Sequence, residues 1–143
     1  MTDDALIGTW LLRSHQVEDS STGERTEPFG SAPSGVLIIL AGGRMSALIT
    51  GQPVGDAAAP LIAYSGQYRV PSPGSFVTAV DVASMAPWVG TKQARSYTVD
   101  GNRLELSTAP ARMPHADGAA ETRVGRMVWV RETTVVASGE ASD

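Results

Sequence analysis

The sequence predicts an all-β fold: a single antiparallel barrel of eight strands in up-and-down order, with an internal cavity. Three observations support this prediction. Short apolar stretches are separated by turn residues, and most of the 15 glycines and 9 prolines lie between these stretches. Long and short links alternate along the chain, as they do in a meander. No stretch has a convincing helical period.

Eight segments, taken in order, have the length and composition of strands and end at turn residues. The second is apolar throughout, and an Asp-Gly-Asn turn joins the sixth to the seventh. The segments span residues 7–18, 36–40, 45–50, 63–70, 75–83, 91–99, 103–108 and 122–132. Residues 53–62 are a candidate for a short helix. We expect the barrel to occupy residues 1–132 and the tail, residues 133–143, to be an extra edge strand or disordered.

The links predict a barrel with one open and one closed end. Three links are tight turns, at residues 41–44, 71–74 and 100–102, and the four that alternate with them are long, at residues 19–35, 51–62, 84–90 and 109–121. Alternate connections of a meander lie at opposite ends, so the long links gather at one end. Eight strands enclose enough space for one small ligand, and closure removes the two edges of an open sheet.

Composition excludes several classes of protein. The 143 residues suit one domain with a core of its own, and the absence of cysteine excludes disulfides and thiol nucleophiles. The net charge is −4 and the 11 basic residues are scattered, which argues against nucleic-acid binding. No apolar run approaches the roughly 20 residues of a membrane span. The start of the chain lacks the pattern of a secretory signal, so we expect a cytoplasmic protein.

Known cofactor motifs are also missing. The sequence has no nucleotide-binding glycine motif, no serine-hydrolase elbow and no metal-ligand spacing. Its two histidines, His15 and His115, are far apart in the chain. We therefore expect no cofactor and no metal, and neither redox nor phosphate-transfer chemistry.

A series of short motifs resembles the bacterial lipocalin-like domain family of calycin-type barrels. Gly8-Thr9-Trp10 matches the Gly-x-Trp pattern of lipocalins and related barrels. The other segments, in order, are Pro28-Phe29-Gly30, Gly43-Arg44-Met45-Ser46, Ala63-Tyr64-Ser65-Gly66-Gln67-Tyr68, Pro87-Trp88-Val89-Gly90-Thr91, Gly101-Asn102-Arg103-Leu104 and Val128-Trp129-Val130-Arg131. The resemblance covers about residues 6–131.

The resemblance implies that Trp10 plugs the closed end and that Arg131 packs over it, with Arg126 a weaker candidate. A guanidinium stacked on an indole contributes on the order of 0.5–2 kcal/mol. Relatives often carry histidine on the fifth strand, where this chain has Thr78 and its neighbours, so histidine chemistry there does not carry over. The family has no single activity, and includes proteins suspected of cyclising or isomerising natural products.

Polar residues near the open end are candidates for the site. If Trp10 points inward, alternation places Ser14 and Gln16 inside as well; the alternative for Gln16 is a position in solvent above the cavity. Tyr64 begins its strand at the open end, and its phenol is expected to donate to a ligand carbonyl. Tyr68 shares that face and is either a ligand contact or a core tyrosine bonded to backbone.

Asp81 and Arg95 lie equally far from the middle of the fifth link, which predicts that they face each other across a hairpin. Pointing outward they form a solvated pair of little energetic value. Pointing inward they form a buried acid–base pair able to polarise a carbonyl. The outward direction is favoured for Asp81, because alternate residues Phe76, Thr78, Val80 and Val82 make a good inward face. The direction of Gln93, Arg95 and Tyr97 is open.

Aromatic residues of the long links are candidates for a lid. Phe29 and Trp88 either cover the ligand or pack against the rim. Trp129 on the last strand is a further candidate ligand contact. His115 lies in a long link and either titrates near neutral pH or is simply solvated.

Two functions fit these features. The first is a cofactor-free cyclase or isomerase that confines an apolar, polyketide- or terpenoid-like substrate, with Tyr64, Arg95 and Asp81 as its chemical groups. The second is a non-catalytic carrier or sequestering protein for such a molecule. The missing export signal favours the enzyme. If the tail forms an edge strand, it is a candidate for pairing two copies into a homodimer.

Overall fold

A computed structural model describes residues 3–52, 60–108, 111–114 and 120–133, with the backbone alone described at 111–114, 120 and 121. Within these ranges the strands are, in chain order, β1 (Gly8–Asp19), β2 (Arg25–Thr26), β3 (Ser34–Ile39), β4 (Arg44–Thr50), β5 (Leu61–Ser72), β6 (Ser75–Ala83), β7 (Lys92–Asp100), β8 (Arg103–Thr108), β9 (Ala111–Pro114) and β10 (Ala120–Arg131). Two short 3-10 turns, Asp4–Leu6 and Ala86–Trp88, complete the described elements.

The sheet closes on itself as an eight-stranded antiparallel barrel. Strands β3 to β8 pair in sequence, β8 pairs with β10, and β10 returns to β1 along a ladder from Trp10 opposite Arg131 to Asp19 opposite Arg123. The predicted fold class and all eight predicted strands are confirmed, with bounds that differ by a few residues. Strands β2 and β9 are short additions that extend β1 and β10 at the open end.

Some expectations fall outside the described residues. Most of the candidate helix, residues 53–59, lies there, while Leu61 and Ile62 at its end belong to β5. His115 and tail residues 134–143 also lie outside the described ranges.

Trp10 and Arg131 form the closed end. Trp10 is fully buried, and its Nε1 donates to the Leu6 carbonyl at 2.9 Å. The Arg131 guanidinium carbon lies 4.2 Å from the centre of the Trp10 ring, and Nη1 donates to the Ile7 carbonyl at 2.7 Å. Gly8 has φ +143, and a Cβ there would lie 2.6 Å from Arg131 Nη1, so glycine makes room for the arginine. The cluster joins the chain start to the end of β10.

Two β-bulges change which side chains face inward. In β1, Leu12 pairs with Trp129 and Ser14 with Val128, so Arg13 is an extra residue without a position of its own in the ladder. In β6, Val80 pairs with Gly66 and Val82 with Ser65, so Asp81 is the extra residue there. After each bulge, the inward and outward positions along the strand are exchanged.

The core fills the closed half of the barrel. Leu6, Trp10, Leu37, Ile39, Met45, Phe76, Leu104 and Trp129 are at most 1% exposed. On β6, Phe76, Thr78 and Val80 point inward as expected, but Val82, beyond the bulge, is 63% exposed. The predicted inward position of Val82 is therefore wrong.

Candidate ligand-binding site

The open half of the barrel contains a cavity of about 120 Å³. Its wall is mainly apolar, with a few polar groups. The lining residues are His15, Leu37, Ala47, Ile49, Ile62, Tyr64, Trp88, Arg95, Leu106, Thr108, Met127 and Trp129. Such a wall suits a small hydrophobic ligand oriented by a few polar contacts.

The strand ladders order the polar groups by depth. Strand β10 runs from the open to the closed end, so Trp129 lies deeper than Met127, which pairs with His15. Arg95 pairs with Thr108, the last residue of β8, and therefore lies near the mouth. The cavity thus has Trp129 at its floor, His15 at middle height and Arg95 at its rim.

His15 reaches the cavity because of the β1 bulge. Its ring meets Phe29 edge-on, with centroids 5.1 Å apart, and its Nδ1 is buried with no hydrogen-bond partner among the described residues. Burial lowers the pKa of His15, the positive charge of Arg95 lowers it further, and a backbone hydrogen bond partly opposes both. The imidazole is therefore neutral at neutral pH. Sequence reasoning missed this residue, since nothing in residues 8–19 marks Arg13 as a bulge.

Arg95 is half-buried in the wall. Its Nη1 donates to the Ala94 carbonyl at 2.9 Å, and no carboxylate of the described residues pairs with it. The open question of direction on β7 is settled by this geometry: Arg95 and Tyr97 face inward.

Trp129 lies at the floor with its polar atom unused. It is 1% exposed, and its Nε1 has no hydrogen-bond partner within the described ranges. An unpaired buried donor costs about 1–3 kcal/mol. This N–H therefore favours a ligand or water with an acceptor atom.

Tyr64 and Trp88 form the upper wall. Their rings meet edge-on with centroids 5.2 Å apart, and the Tyr64 hydroxyl bonds to no residue that the structure describes. Trp88 ends a 3-10 turn, and its carbonyl accepts from Thr91 Oγ1 at 2.6 Å. Phe29 is 7% exposed. Both link aromatics therefore pack against the rim, and Trp88 also covers the cavity.

Ser14 and Gln16 do not reach the cavity. Because of the bulge they line an outer groove, where Gln16 Oε1 accepts from Arg25 Nη1 at 3.3 Å. Their predicted inward direction is wrong. Arg126 lies in the same groove and pairs with Glu18 at 2.9 Å, which leaves Arg131 alone over Trp10.

Asp81 lies on the outside of the barrel. Its carboxylate pairs with Arg44 at 2.7 Å, both side chains are about half exposed, and the hydrogen bond from Arg44 lowers the pKa of Asp81. Arg95 pairs across the ladder with Phe76. The predicted juxtaposition of Asp81 and Arg95 is therefore wrong, because the register of β6 and β7 places Phe76 opposite Arg95. The outward direction favoured for Asp81 is the one observed.

Two other candidates have structural partners. The Tyr68 hydroxyl donates to the Leu40 carbonyl at 3.1 Å near the closed end, as in its alternative interpretation. Gln93 Nε2 donates to Thr91 Oγ1 at 2.8 Å. Neither residue lines the cavity. Thr78, where relatives often carry histidine, is 1% exposed.

Two further properties concern the described residues alone. No helix among them is long and apolar enough to cross a bilayer. No three acidic or histidine side chains in these ranges lie close enough together to hold a metal ion.

Comparison with known proteins gives a family but no characterised relative. No curated protein matches the chain. The family described as "Lipocalin-like domain" matches residues 52–132, more than half of the sequence and all of β5 to β10. With the closed eight-stranded barrel, this match shows that the chain belongs to the lipocalin-like domain family.

Proposed function

We propose that the barrel binds a small apolar molecule and acts on it as a cofactor-free isomerase or cyclase of natural-product biosynthesis, on polyketide- or terpenoid-like substrates. One observation carries the proposal: a neutral histidine shares an otherwise apolar cavity with the Tyr64 hydroxyl and the Arg95 guanidinium. A base and two donors around one small space are what proton transfer next to a carbonyl requires.

The chemistry follows from these three groups. His15 removes a proton from the carbon next to a substrate carbonyl, and the electron pair moves to the oxygen. Tyr64 and Arg95 donate to that oxygen, which stabilises the enolate. The imidazolium then returns the proton to a carbon further along the conjugated system, so the product is an isomer. In a cyclisation, the enolate carbon instead attacks a second carbonyl carbon of the confined molecule. The π bond of that carbonyl opens, and the resulting alkoxide takes the proton from the imidazolium.

The size of the cavity limits what enters it. About 120 Å³ accommodates a body of roughly one ring, since an engineered cavity of about 150 Å³ in another protein holds benzene. A larger substrate would need Trp88 to move, while its reacting ring occupies the interior.

A non-catalytic carrier is the second candidate, and the position of Asp81 favours it. The acid expected beside Arg95 lies outside the barrel, and no carboxylate of the described residues lines the cavity. Catalysis by the described residues would therefore depend on His15 as the base.

The decisive assay uses 3-cyclohexen-1-one, a one-ring β,γ-unsaturated ketone whose isomerisation is followed by ultraviolet absorbance. We expect turnover that falls about 100-fold or more in His15→Gln, and by a similar factor in Tyr64→Phe. Tyr68→Phe is the matched control, because its hydroxyl bonds to backbone away from the cavity. Binding without turnover would assign the carrier function, and full activity in His15→Gln would refute the base.

A further inference from the structure

Two of the hydrogen-bond donors that line the cavity lie at different depths, and neither has a side-chain acceptor among the described residues. Arg95 at the rim has no carboxylate partner in the described residues, and Trp129 Nε1 at the floor has no partner there at all. Among the described lining residues, the Tyr64 and Thr108 hydroxyls are the side-chain oxygens, and none is an aspartate or glutamate.

We propose that the ligand is a ring-sized organic acid, with its carboxylate paired to Arg95 at the mouth and an acceptor oxygen at its opposite end bonded to Trp129 Nε1. This inference rests on the proposed small-molecule site and adds the class and the orientation of the ligand. It does not depend on turnover.

The charge of Arg95 selects an anion. Of the lining residues that the structure describes, it is the one arginine or lysine, and none of them is an aspartate or glutamate. A guanidinium holds a carboxylate through two parallel hydrogen bonds, and such charged bonds are about twice as strong as neutral ones. The protein as a whole carries a charge of −4, so attraction of an acid has to be local to this residue.

The indole of Trp129 selects an acceptor. Its N–H only donates, so the complementary group is a carbonyl, ether or hydroxyl oxygen. The residue is 1% exposed and lines the floor of the cavity, and its Nε1 has no partner among the described residues. A ligand whose deep end carries an oxygen would supply the missing acceptor.

Arg95 and Trp129 lie at opposite ends of the cavity. Arg95 pairs with Thr108 and Trp129 with Leu104, four residues apart on β8, or about 13 Å along the strand. Both side chains line the cavity, so a ligand that contacts both lies along the strands.

Four para-disubstituted benzenes separate the two contacts. They are 4-acetylbenzoate, 4-ethylbenzoate, 4-methylacetophenone and 4-ethyltoluene, and their affinities are measured by calorimetry or by ligand-observed NMR. We expect 4-acetylbenzoate to bind most tightly. Loss of the carboxylate should weaken binding about tenfold or more, and loss of the acetyl oxygen about three- to tenfold.

Two variants assign each preference to its residue. Arg95→Gln should remove the preference for acids and keep the preference for acetyl compounds, and Arg95→Lys should retain part of the former. Trp129→Phe should remove the preference for acetyl compounds and keep the preference for acids. Arg69→Gln is the matched control, because Arg69 is exposed on β5 and does not line the cavity. Thermal melting of each variant verifies that it is folded.

The outcomes distinguish this inference from the proposed function. Equal affinity for acids and neutral compounds would overturn the acidic ligand and leave the small-molecule site intact. Loss of the acetyl preference in Arg95→Gln would overturn the orientation. Failure of all four compounds to bind would refute the small-molecule site itself.

Discussion

His15 is the residue whose chemistry depends most on its surroundings. In the sequence it is an isolated histidine on a strand, and in the barrel its Nδ1 is buried beside Arg95, an arginine without a carboxylate partner in the described chain. Burial and that positive charge both disfavour the imidazolium. A histidine held neutral is able to accept a proton at neutral pH, which is the property that a general base needs.

The lowered pKa of His15 predicts a pH-dependent stability. The unfolded chain binds the proton with the ordinary pKa of about 6.5, whereas the folded chain binds it only at lower pH. Below pH 6.5 the unfolded state therefore holds more protons, and the free energy of unfolding decreases as pH falls through the pKa of the folded state. The loss is about 1.4 kcal/mol for each tenfold difference in proton affinity. Urea denaturation at pH 7.5 and 5.5 measures it.

His15→Gln should remove this component of the pH dependence, whatever its effect on stability at pH 7.5. His115→Gln is the matched variant, because it removes the other histidine of the chain. An unchanged pH dependence in His15→Gln would contradict the buried position of this side chain.

At the scale of single elements, the two bulges determine which residues meet in the cavity. One extra residue in β1 brings His15 inside and sends Ser14 and Gln16 to the outer groove. One extra residue in β6 turns Val82 to the outside of the barrel. Since side chains alternate with a period of two, a single inserted position reverses everything that follows it in the strand.

The β5–β6 bulge depends on Gly66. A Cβ at this position would overlap the Ala79 carbonyl oxygen and lie 2.7 Å from the carbonyl carbon, so backbone rather than a flexible side chain would have to move. We expect Gly66→Ala to lower the free energy of unfolding by about 3 kcal/mol. Gly42→Ala is the control, because a Cβ there meets nothing within 4 Å. Chemical denaturation of both variants gives the comparison.

A loss in Gly66→Ala no larger than in Gly42→Ala would mean that the two strands do not approach as closely as described. In that case the bulge, and with it the outward position of Val82, would be in question.

At the scale of the whole molecule, the barrel has one sealed end and one end closed by aromatic side chains. The sealed end is held by Trp10, Arg131 and the Leu6 and Ile7 carbonyls. At the other end Trp88 lies on a short turn and contacts Tyr64 edge-on. Motion that admits a ligand is therefore expected at the Trp88 end.

Removal of the Trp88 side chain should expose the cavity without loosening the sealed end. In Trp88→Ala we expect the Trp129 indole N–H to exchange with solvent roughly tenfold faster, since local opening governs its exchange. The Trp10 indole N–H is an internal control, because it is buried and bonded to Leu6 far from Trp88. Hydrogen–deuterium exchange followed by NMR measures both.

Leu40→Ala, an exposed position beside the closed end, is the control variant and should change neither rate. Equal acceleration of both indoles in Trp88→Ala would indicate general destabilisation and contradict a local lid.

The sequence alone determined the features that follow from local pattern. Turn residues and alternating link lengths were enough to predict eight strands, their order and the ends of the barrel, because each depends on neighbouring residues. The Gly-x-Trp resemblance implied the placement of Trp10 and Arg131. Tyr64, Trp88 and Trp129, expected at the site, all line the cavity.

The tertiary structure alone decided which polar groups share that cavity. The bulges at Arg13 and Asp81 leave no mark in residue type, and they place His15 inside and Val82 outside. The unused N–H of Trp129 and the unpaired charge of Arg95 likewise depend on what surrounds them in the folded barrel. Whether a side chain points inward depends on the number of residues before it in the strand, so one unpaired residue reverses the direction of those that follow. The hydrophobic pattern that makes the strand fold is not altered by it.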